Sequence, residues 1–585
     1  MKRCPGCRRD YYDETLSFCL DDGERLVGGP ASDDLGAFPT GIPASESPTR
    51  AQINTTDQTA ILHRGPEAEP QNNSGGIAEK QNLSANRAAE PQSKRNKLAA
   101  IFGIVVLLLI VGSLGYRYFA TANSKQIESI AVMPFVNESG NGDAEYLSDG
   151  MTETLISSLS QLPNLNVKAR SSVFRYKGKD TNAATIGKEL NVQAILNGRV
   201  VQRGQELVLY VELVDAQTEN SLWKQTYNKT MTNLVALQND IARDVADKLK
   251  VKLSGADELK LAKKYTENAE AYQFYLKGRF HLLKTTRSEF ETSISYFQQA
   301  IAIDPSYALA YAGLADAYRS LSVAGEMPSM EVMPKAKAAV QKAIEIDHTL
   351  AEAHAVLGWI IFWYDWDWSA AENQYKRALE LDPNNADTHL FYAHLFSNTG
   401  RHEEALAEGK RARELDPLNL RTNALEGQFL MHAGRTDEAL ARLQKTFELD
   451  ANYWLPHSFM ASVYIEKGMY SEAIAEARKA REFSGAATQP TAFFGYALAK
   501  SGKEAEARAE LERLLKLSTE RYVSLYNIAM IYNGLGERDE TLAWLERAFQ
   551  QREPRMVFLK VEPKWNNLRG DPRFQDLMRR VGFPE

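Results

Sequence analysis

Cysteine is nearly absent from this 585-residue chain: Cys4, Cys7 and Cys19 are the whole complement, so no disulfide framework holds the fold. An excess of one charge is lacking too. With 69 basic and 76 acidic side chains the formal net charge is −7, which leaves no general basic face for nucleic acid. Catalytic signatures are also missing. Gly187-Lys188 is followed by Glu189, without the spacing or hydroxyl of a phosphate loop, and no H-E-x-x-H, G-x-S-x-G, H-R-D or D-F-G element occurs. These absences point away from an enzyme. What is present is core-forming material, 44% hydrophobic and 25% charged residues, enough for about four domains or for fewer domains plus an array of repeats.

Leu98 to Tyr116 carries no charge and as a helix spans about 28 Å, close to a hydrocarbon core. Residues 98–119 are read as a transmembrane helix, the alternative being a buried helix of a soluble fold. A cleavable signal peptide is excluded by its distance from the N-terminus. Arg87, Lys94, Arg95 and Lys97 precede the run, whereas Arg117 and Lys125 follow it. That bias predicts a single-pass inner-membrane protein with a cytoplasmic N-terminus and a periplasmic or extracytoplasmic body. Residues 28–97, rich in Ala, Ser, Pro, Asn, Gln and Glu, bury too little apolar surface to offset ordering entropy and read as a disordered tether.

Residues 127–254 alternate strand and helix patterns. Ile130 to Phe135 reads as a buried strand, and Met151, Leu155, Leu159 and Leu162 fall on one helix face. Strands follow at 166–169, 194–202 and 206–215, the last two joined by a turn at Arg203-Gly204, with helices over 183–190 and 234–253. From 267 to 553 the chain is helical and repetitive. Gly400, Gly434, Gly468, Gly502 and Gly536 are 34 residues apart, and Asp382, Asp416 and Asp450 keep the same interval at the ends of second helices. Each glycine can end a first helix in the left-handed conformation, and Pro305 and Pro383 stop second helices.

Tyr311, Leu314, Ala315 and Tyr318 in one unit, and His389, Tyr392, Ala393, Phe396, Ala405, Ala412 and Pro417 in another, resemble the tetratricopeptide repeat. About eight such units fill 267–553, leaving 554–585 as a capping segment. An insertion around Ser322 to Met333 and the lost terminal proline at Ala451 and Gly485 are departures from the pattern. The resemblance implies an all-α solenoid whose concave face binds a protein or peptide. Inward, candidate partner-binding positions are His394, Asn398, Arg421, Gln428, His432, Tyr496 and Lys500. The Lys/Asn set that clamps a C-terminal carboxylate in family members is not evident, which disfavours a chaperone-tail receptor. Trp359 to Trp368 holds four of the eight tryptophans. It reads as filling for the turn of a longer repeat, with an aromatic binding patch or membrane-surface contact as alternatives.

Cys4-x2-Cys7 and Cys19-x2-Asp22 resemble the two knuckles of short zinc ribbons at bacterial N-termini. The resemblance implies one structural zinc on Cys4, Cys7, Cys19 and Asp22 within residues 1–27, Asp21 or a water being the alternative fourth ligand. Metal would fold a segment too short for a core of its own. The stretch from Ser129 to about Leu253, including IAVMPFVNESGNGDAEYLSDGM, resembles the TolB amino-terminal-like domain, which implies an α/β fold facing the cell envelope. The functional expectation is a non-enzymatic, membrane-anchored interaction scaffold or sensor that contacts the bilayer through one helix and binds no nucleic acid. The alternative is a regulatory component of a signalling or transcription system whose ribbon contacts nucleic acid or polymerase. A cryptic enzyme in the middle domain ranks third.

Overall fold

The computed structural model describes residues 127–584 except 252, 326 and 486, together with residues 2–3, 10–11 and 27–28. The chain divides into two compact units, Met1–Leu98 and Ala99–Glu585. In the first unit β1 (Lys2–Arg3) lies between β2 (Asp10–Tyr11) and β3 (Val27–Gly28), antiparallel to both. Cys4, Cys7, Cys19, Asp22 and the tether after Gly28 lie outside the described residues. The single-pass membrane localisation is corrected: no helix among the described residues is long and apolar enough to cross a membrane. Leu98 to Tyr116, on which that expectation rested, lies outside the described residues, and the topology is not carried further.

The second unit begins with an α/β region. Its strands are β4 (Ser129–Val132), β5 (Val136–Asn137), β6 (Asn166–Val167), β7 (Ala194–Arg203), β8 (Glu206–Asp215) and β9 (Ser221–Thr230). The sheet runs β6-β4-β7-β8-β9, with β5 also on β7; β4 is parallel to β6 and β7, and β7-β8-β9 is an antiparallel meander. The single strand expected over 130–135 is broken at Pro134, whose ring nitrogen cannot donate to a ladder. Between β7 and β8 Gly204 takes φ +60°, closing the expected hairpin in register Ala194↔Asp215 to Arg203↔Glu206. Helices α1 (Glu145–Ser160) and α4 (Leu234–Lys248) pack on each other, α1 also against β4 and β6 and α4 against β9. The short helices α2 (Arg170–Val173), α3 (Ala183–Leu190) and α5 (Gly255–Ala262) complete the region.

Eight antiparallel helix pairs follow. The first four are α6/α7 (Ala269–Leu282, Arg287–Ile303), α8/α9 (Ala308–Val323, Ser329–Ile346), α10/α11 (Ala351–Ile360, Trp368–Leu381) and α12/α13 (Ala386–Thr399, His402–Leu415). The last four are α14/α15 (Leu420–His432, Thr436–Leu449), α16/α17 (Trp454–Glu466, Tyr470–Phe483), α18/α19 (Thr488–Lys500, Glu504–Leu517) and α20/α21 (Leu525–Leu535, Arg538–Gln550). The periodic glycines Gly400, Gly434, Gly468, Gly502 and Gly536 all have φ between +71° and +89°, the left-handed turn that lets each second helix fold back on its first. Five residues further on, Ala405, Ala439, Ala473 and Ala507 are fully buried where the paired helices approach most closely.

The tryptophan-rich run closes the superhelix on itself. After α10 the backbone widens into a π-helical turn, Ile361–Asp365, and Trp366 reverses it with φ +60°. Trp363 packs edge-on against Phe558, Trp366 stacks on Phe549 at 5.2 Å, and Trp368 stacks on Phe583 at 4.9 Å. The third repeat therefore holds the C-terminal segment, which ends in α22 (Pro572–Val581) and buries Trp565 and Phe574 completely.

Candidate functional site

The aspartates that end the second helices do more than stop them. Asp304 accepts a hydrogen bond from Thr266 at 2.6 Å, Asp347 from Lys263 at 2.6 Å, and Asp382 from Ser160 at 3.1 Å. Asp416 accepts from Ser172 at 2.5 Å and also from Ser171, and Arg175 donates to the carbonyl of Leu449 at 2.7 Å, beside Asp450. Five successive repeat junctions thus grip the α/β region or the segment leading out of it. Burial opposes ionisation of Asp304 and Asp347, but hydrogen bonds from Thr266, Ser306, Lys263 and Thr349 outweigh it and hold both carboxyls below their ordinary value. Asp382 is the opposite case, because burial pushes its carboxyl up.

Asn384 supplies the centre of this seam. Its side-chain amide reaches the carbonyls of Ser160, Leu162 and Leu165, each at 3.2 Å, so a repeat junction caps the end of α1 where that helix has run out of its own donors. Arg411 donates to the Oδ1 atom of Asn384 at 2.9 Å. Nearby Lys168, 3% exposed, donates to the carbonyl of Glu414 at 2.8 Å. Burial, with Arg411 adding repulsion, lowers its amine to about 8.

Above the seam lies a cavity of about 270 Å³, bounded by α1 on one side and by the first helices of four repeats on the other. Its charges form a network across the two domains. Arg279 on α6 donates to Glu153 of α1 at 2.9 Å and to Glu352 of α10 at 2.6 Å, while Arg170 approaches Glu153 at 3.5 Å. Burial disfavours the Arg279 cation, and the charges of Glu153 and Glu352 more than restore it. Arg319 pairs with Asp316 at 2.8 Å and lies over the Trp359 ring at 4.8 Å. Glu352 and Asp387 were not among the residues singled out from the sequence. The signal was available, because Glu352, Asp387 and Arg421 occupy one repeat position at intervals of 35 and 34 residues.

Of the partner-binding positions expected from the repeats, His394, Asn398, Gln428, His432 and Tyr496 are buried, Arg421 is half-buried and Lys500 is exposed. The cover is the chain's own C-terminal segment. Phe558 packs edge-on to His394 and His432, and Glu562 lies 3.9 Å from His432. Arg421 lies apart from these, over Phe391 at 5.8 Å. His432 shares a 2.9 Å hydrogen bond with Ser397. The Nδ1 atom of His394, both amide atoms of Asn398 and the Oε1 atom of Gln428 have no hydrogen-bond partner among the described residues. Three other histidines are structural: His389 and His457 bridge a junction carbonyl to Glu408 and Glu476, and His354 does the same with Gln374. Among the described residues no group of three or more His, Cys, Asp or Glu side chains could hold a metal ion.

Comparison with known proteins matches both domains. Residues 125–244 match the HilA/YgeH-like transcriptional regulator, second domain, and residues 367–429 match the tetratricopeptide repeat. A protein of Rhizobium meliloti (strain 1021) named "Putative adenylate cyclase 3" is 30% identical over 245 residues, 40% of this chain and 40% of that protein. Transcriptional regulator HilA of Salmonella typhimurium is 29% identical over 132 residues, 23% of this chain and 24% of the regulator. The chain thus spans well under half of each relative's length. Among solved structures, YrrB, described as a TPR protein with an unusual peptide-binding site, is 23% identical with a TM-score of 0.24 over 32% of this chain and 91% of YrrB. Yeast Tom70 is 15% identical with a TM-score of 0.36 over 60% of this chain and 82% of Tom70. The C-terminal part of the chain is a tetratricopeptide-repeat helical solenoid, and it is joined to an α/β sheet region.

Proposed function

We propose that the chain is a protein-interaction scaffold in a signalling or transcription system, binding a partner polypeptide along the concave side of α12 and α14. The row of buried, unpaired polar atoms on His394, Asn398 and Gln428 carries this reading. Each stranded donor or acceptor costs about 1–3 kcal/mol, a cost that a partner backbone taking the place of residues 556–562 removes. Arg421 and Lys500 mark the accessible ends of the path. The named relatives, a putative adenylate cyclase and a transcriptional regulator, support a regulatory setting in which the α/β and repeat regions sense a partner. A structural zinc on Cys4, Cys7, Cys19 and Asp22 belongs to the same reading, as the fold of the N-terminal head.

The test is crosslinking capture with the full chain and with an Asn398→Leu/Gln428→Leu variant. Wild type should recover one specific protein that the variant loses while melting no lower than wild type. Equal recovery by both, or no specific protein with wild type, defeats the reading.

A further inference from the structure

The cavity between α1 and the first four repeats is a built site in which one lining carboxylate makes no contact of its own. Within its walls Glu153, Arg170, Arg279 and Glu352 neutralise one another, and Asp316 is matched by Arg319. Lys263 and Lys264 are paired with Asp347 and Glu267 outside the lining, and Asp382 is held by Ser160 and Asn385. Asp387, in the first turn of α12, also lines the cavity and stays open to it, yet among the described residues its carboxylate makes no hydrogen bond and no ion pair. Arg421 and Arg319 act on it only from beyond ion-pair distance. A second orphan lies in the opposite wall. Tyr307 is completely buried, borders the cavity, and its hydroxyl has no partner among the described residues. Its ring forms an aromatic wall with Tyr275 at 5.3 Å, which continues to Tyr272 at 6.3 Å.

Asp387 is exposed to the cavity and has no counter-charge there, so a cation beside it gains a charge-assisted contact. Of the three tyrosine rings Tyr272 and Tyr275 reach the cavity, each 4% exposed, and aromatic rings at such a wall favour the same occupant because their π-electrons attract positive charge. An anion is disfavoured, since the lining arginines and lysines are already paired and Asp387 repels it. The volume of about 270 Å³ lies near the lower end of small-molecule sites, roughly 300–1,000 Å³, and is too small for a folded element of a protein. We propose that this cavity binds a small organic cation, an amine or guanidinium compound of about amino-acid size, with its charged group on Asp387 and its body against the tyrosine wall. Because the walls come from both domains, occupancy ties the α/β region to the repeats. This site is separate from the concave path proposed above and stands or falls without it.

Calorimetric titration of the full chain with agmatine, putrescine and choline tests the proposal, with 1,4-butanediol as the uncharged match for putrescine. At least one cation should saturate a single site per chain, and butanediol should not bind. Asp387→Asn, which keeps the size and helix position, should weaken binding by about tenfold or more, the effect of losing one charge-assisted contact. Tyr307→Phe should weaken it a few-fold, and Asp437→Asn on the exposed face of α15 should leave it unchanged. Failure of all three cations to bind wild type overturns the proposal, as does equal binding by Asp387→Asn, which would mean surface association only.

Discussion

Asn384→Ala should release the end of α1 from the repeats. The substitution removes an amide that serves the carbonyls of Ser160, Leu162 and Leu165. Leu162 keeps the N–H of Leu165 at 3.2 Å, so the cost falls on Ser160 and Leu165, in a seam where Asn384 itself is 7% exposed. Two net hydrogen bonds at about 1 kcal/mol each, plus the penalty for carbonyls stranded away from water, give about 3 kcal/mol. That energy corresponds to roughly a hundredfold faster local opening. Amide exchange measured by mass spectrometry should show this acceleration over residues 155–167 and little change in α16 to α21. Asn384→Asp should behave like the alanine variant, because it keeps an acceptor for Arg411 and loses the donor. Exchange over 155–167 that is unchanged in Asn384→Ala would refute the capping argument.

Three further outcomes follow from the same contacts. Arg279→Met strands Glu352 and leaves Glu153 to Arg170 alone in a partly buried site, and should cost about 3 kcal/mol in urea denaturation, most of it recovered when Glu352 is also changed to Gln. Lys168, lowered from 10.5 to about 8 by burial, opposes folding most strongly below pH 8, where the folded chain must hold the buried proton. Between pH 8 and 10.5 the unfolded chain binds more protons than the folded one, so stability should rise by up to about 3 kcal/mol, a rise that Lys168→Met should abolish. A peptide of residues 1–27 should bind one zinc, read by metal analysis, and Cys19→Ser should remove it.

Where periodicity and turn chemistry acted locally, the sequence was easy to read. The helix over Ala183–Leu190, the Gly204 hairpin and the left-handed glycines of the repeats follow from rules that need only a few neighbouring residues. β9 escaped for a physical reason: it is an edge strand with one open face, and Tyr227 is its sole buried side chain, so SLWKQTYNKT shows no apolar alternation. The expected helix over 234–253 ends at Lys248 because Lys250 turns left-handed, a residue type that gives no such warning. The junction aspartates were visible as a period, but their hydroxyl and ammonium partners lie up to 245 residues away, beyond what a repeat register can specify. The repeat pattern could single out His394 and His432 as positions of first helices, whereas their cover by Phe558 and Glu562 depends on superhelical closure.

The row of junction contacts also acts as a gauge of solenoid pitch. Thr266, Lys263, Ser160, Ser172 and Arg175 sit on a body of fixed size, so together they accept only one spacing of the junctions at Asp304, Asp347, Asp382, Asp416 and Leu449. Curvature of the early repeats is therefore dictated by the α/β region, much as a template fixes the bend of a rod. A whole repeat inserted between Asp304 and Asp450 would break several contacts at once, whereas one added after Asp450 would leave the gauge intact and disturb only the closure onto Trp363, Trp366 and Trp368. Length variation in chains built this way is thus tolerated unequally along the array, with the early repeats held to one number and the later ones limited only by the return of the C-terminus.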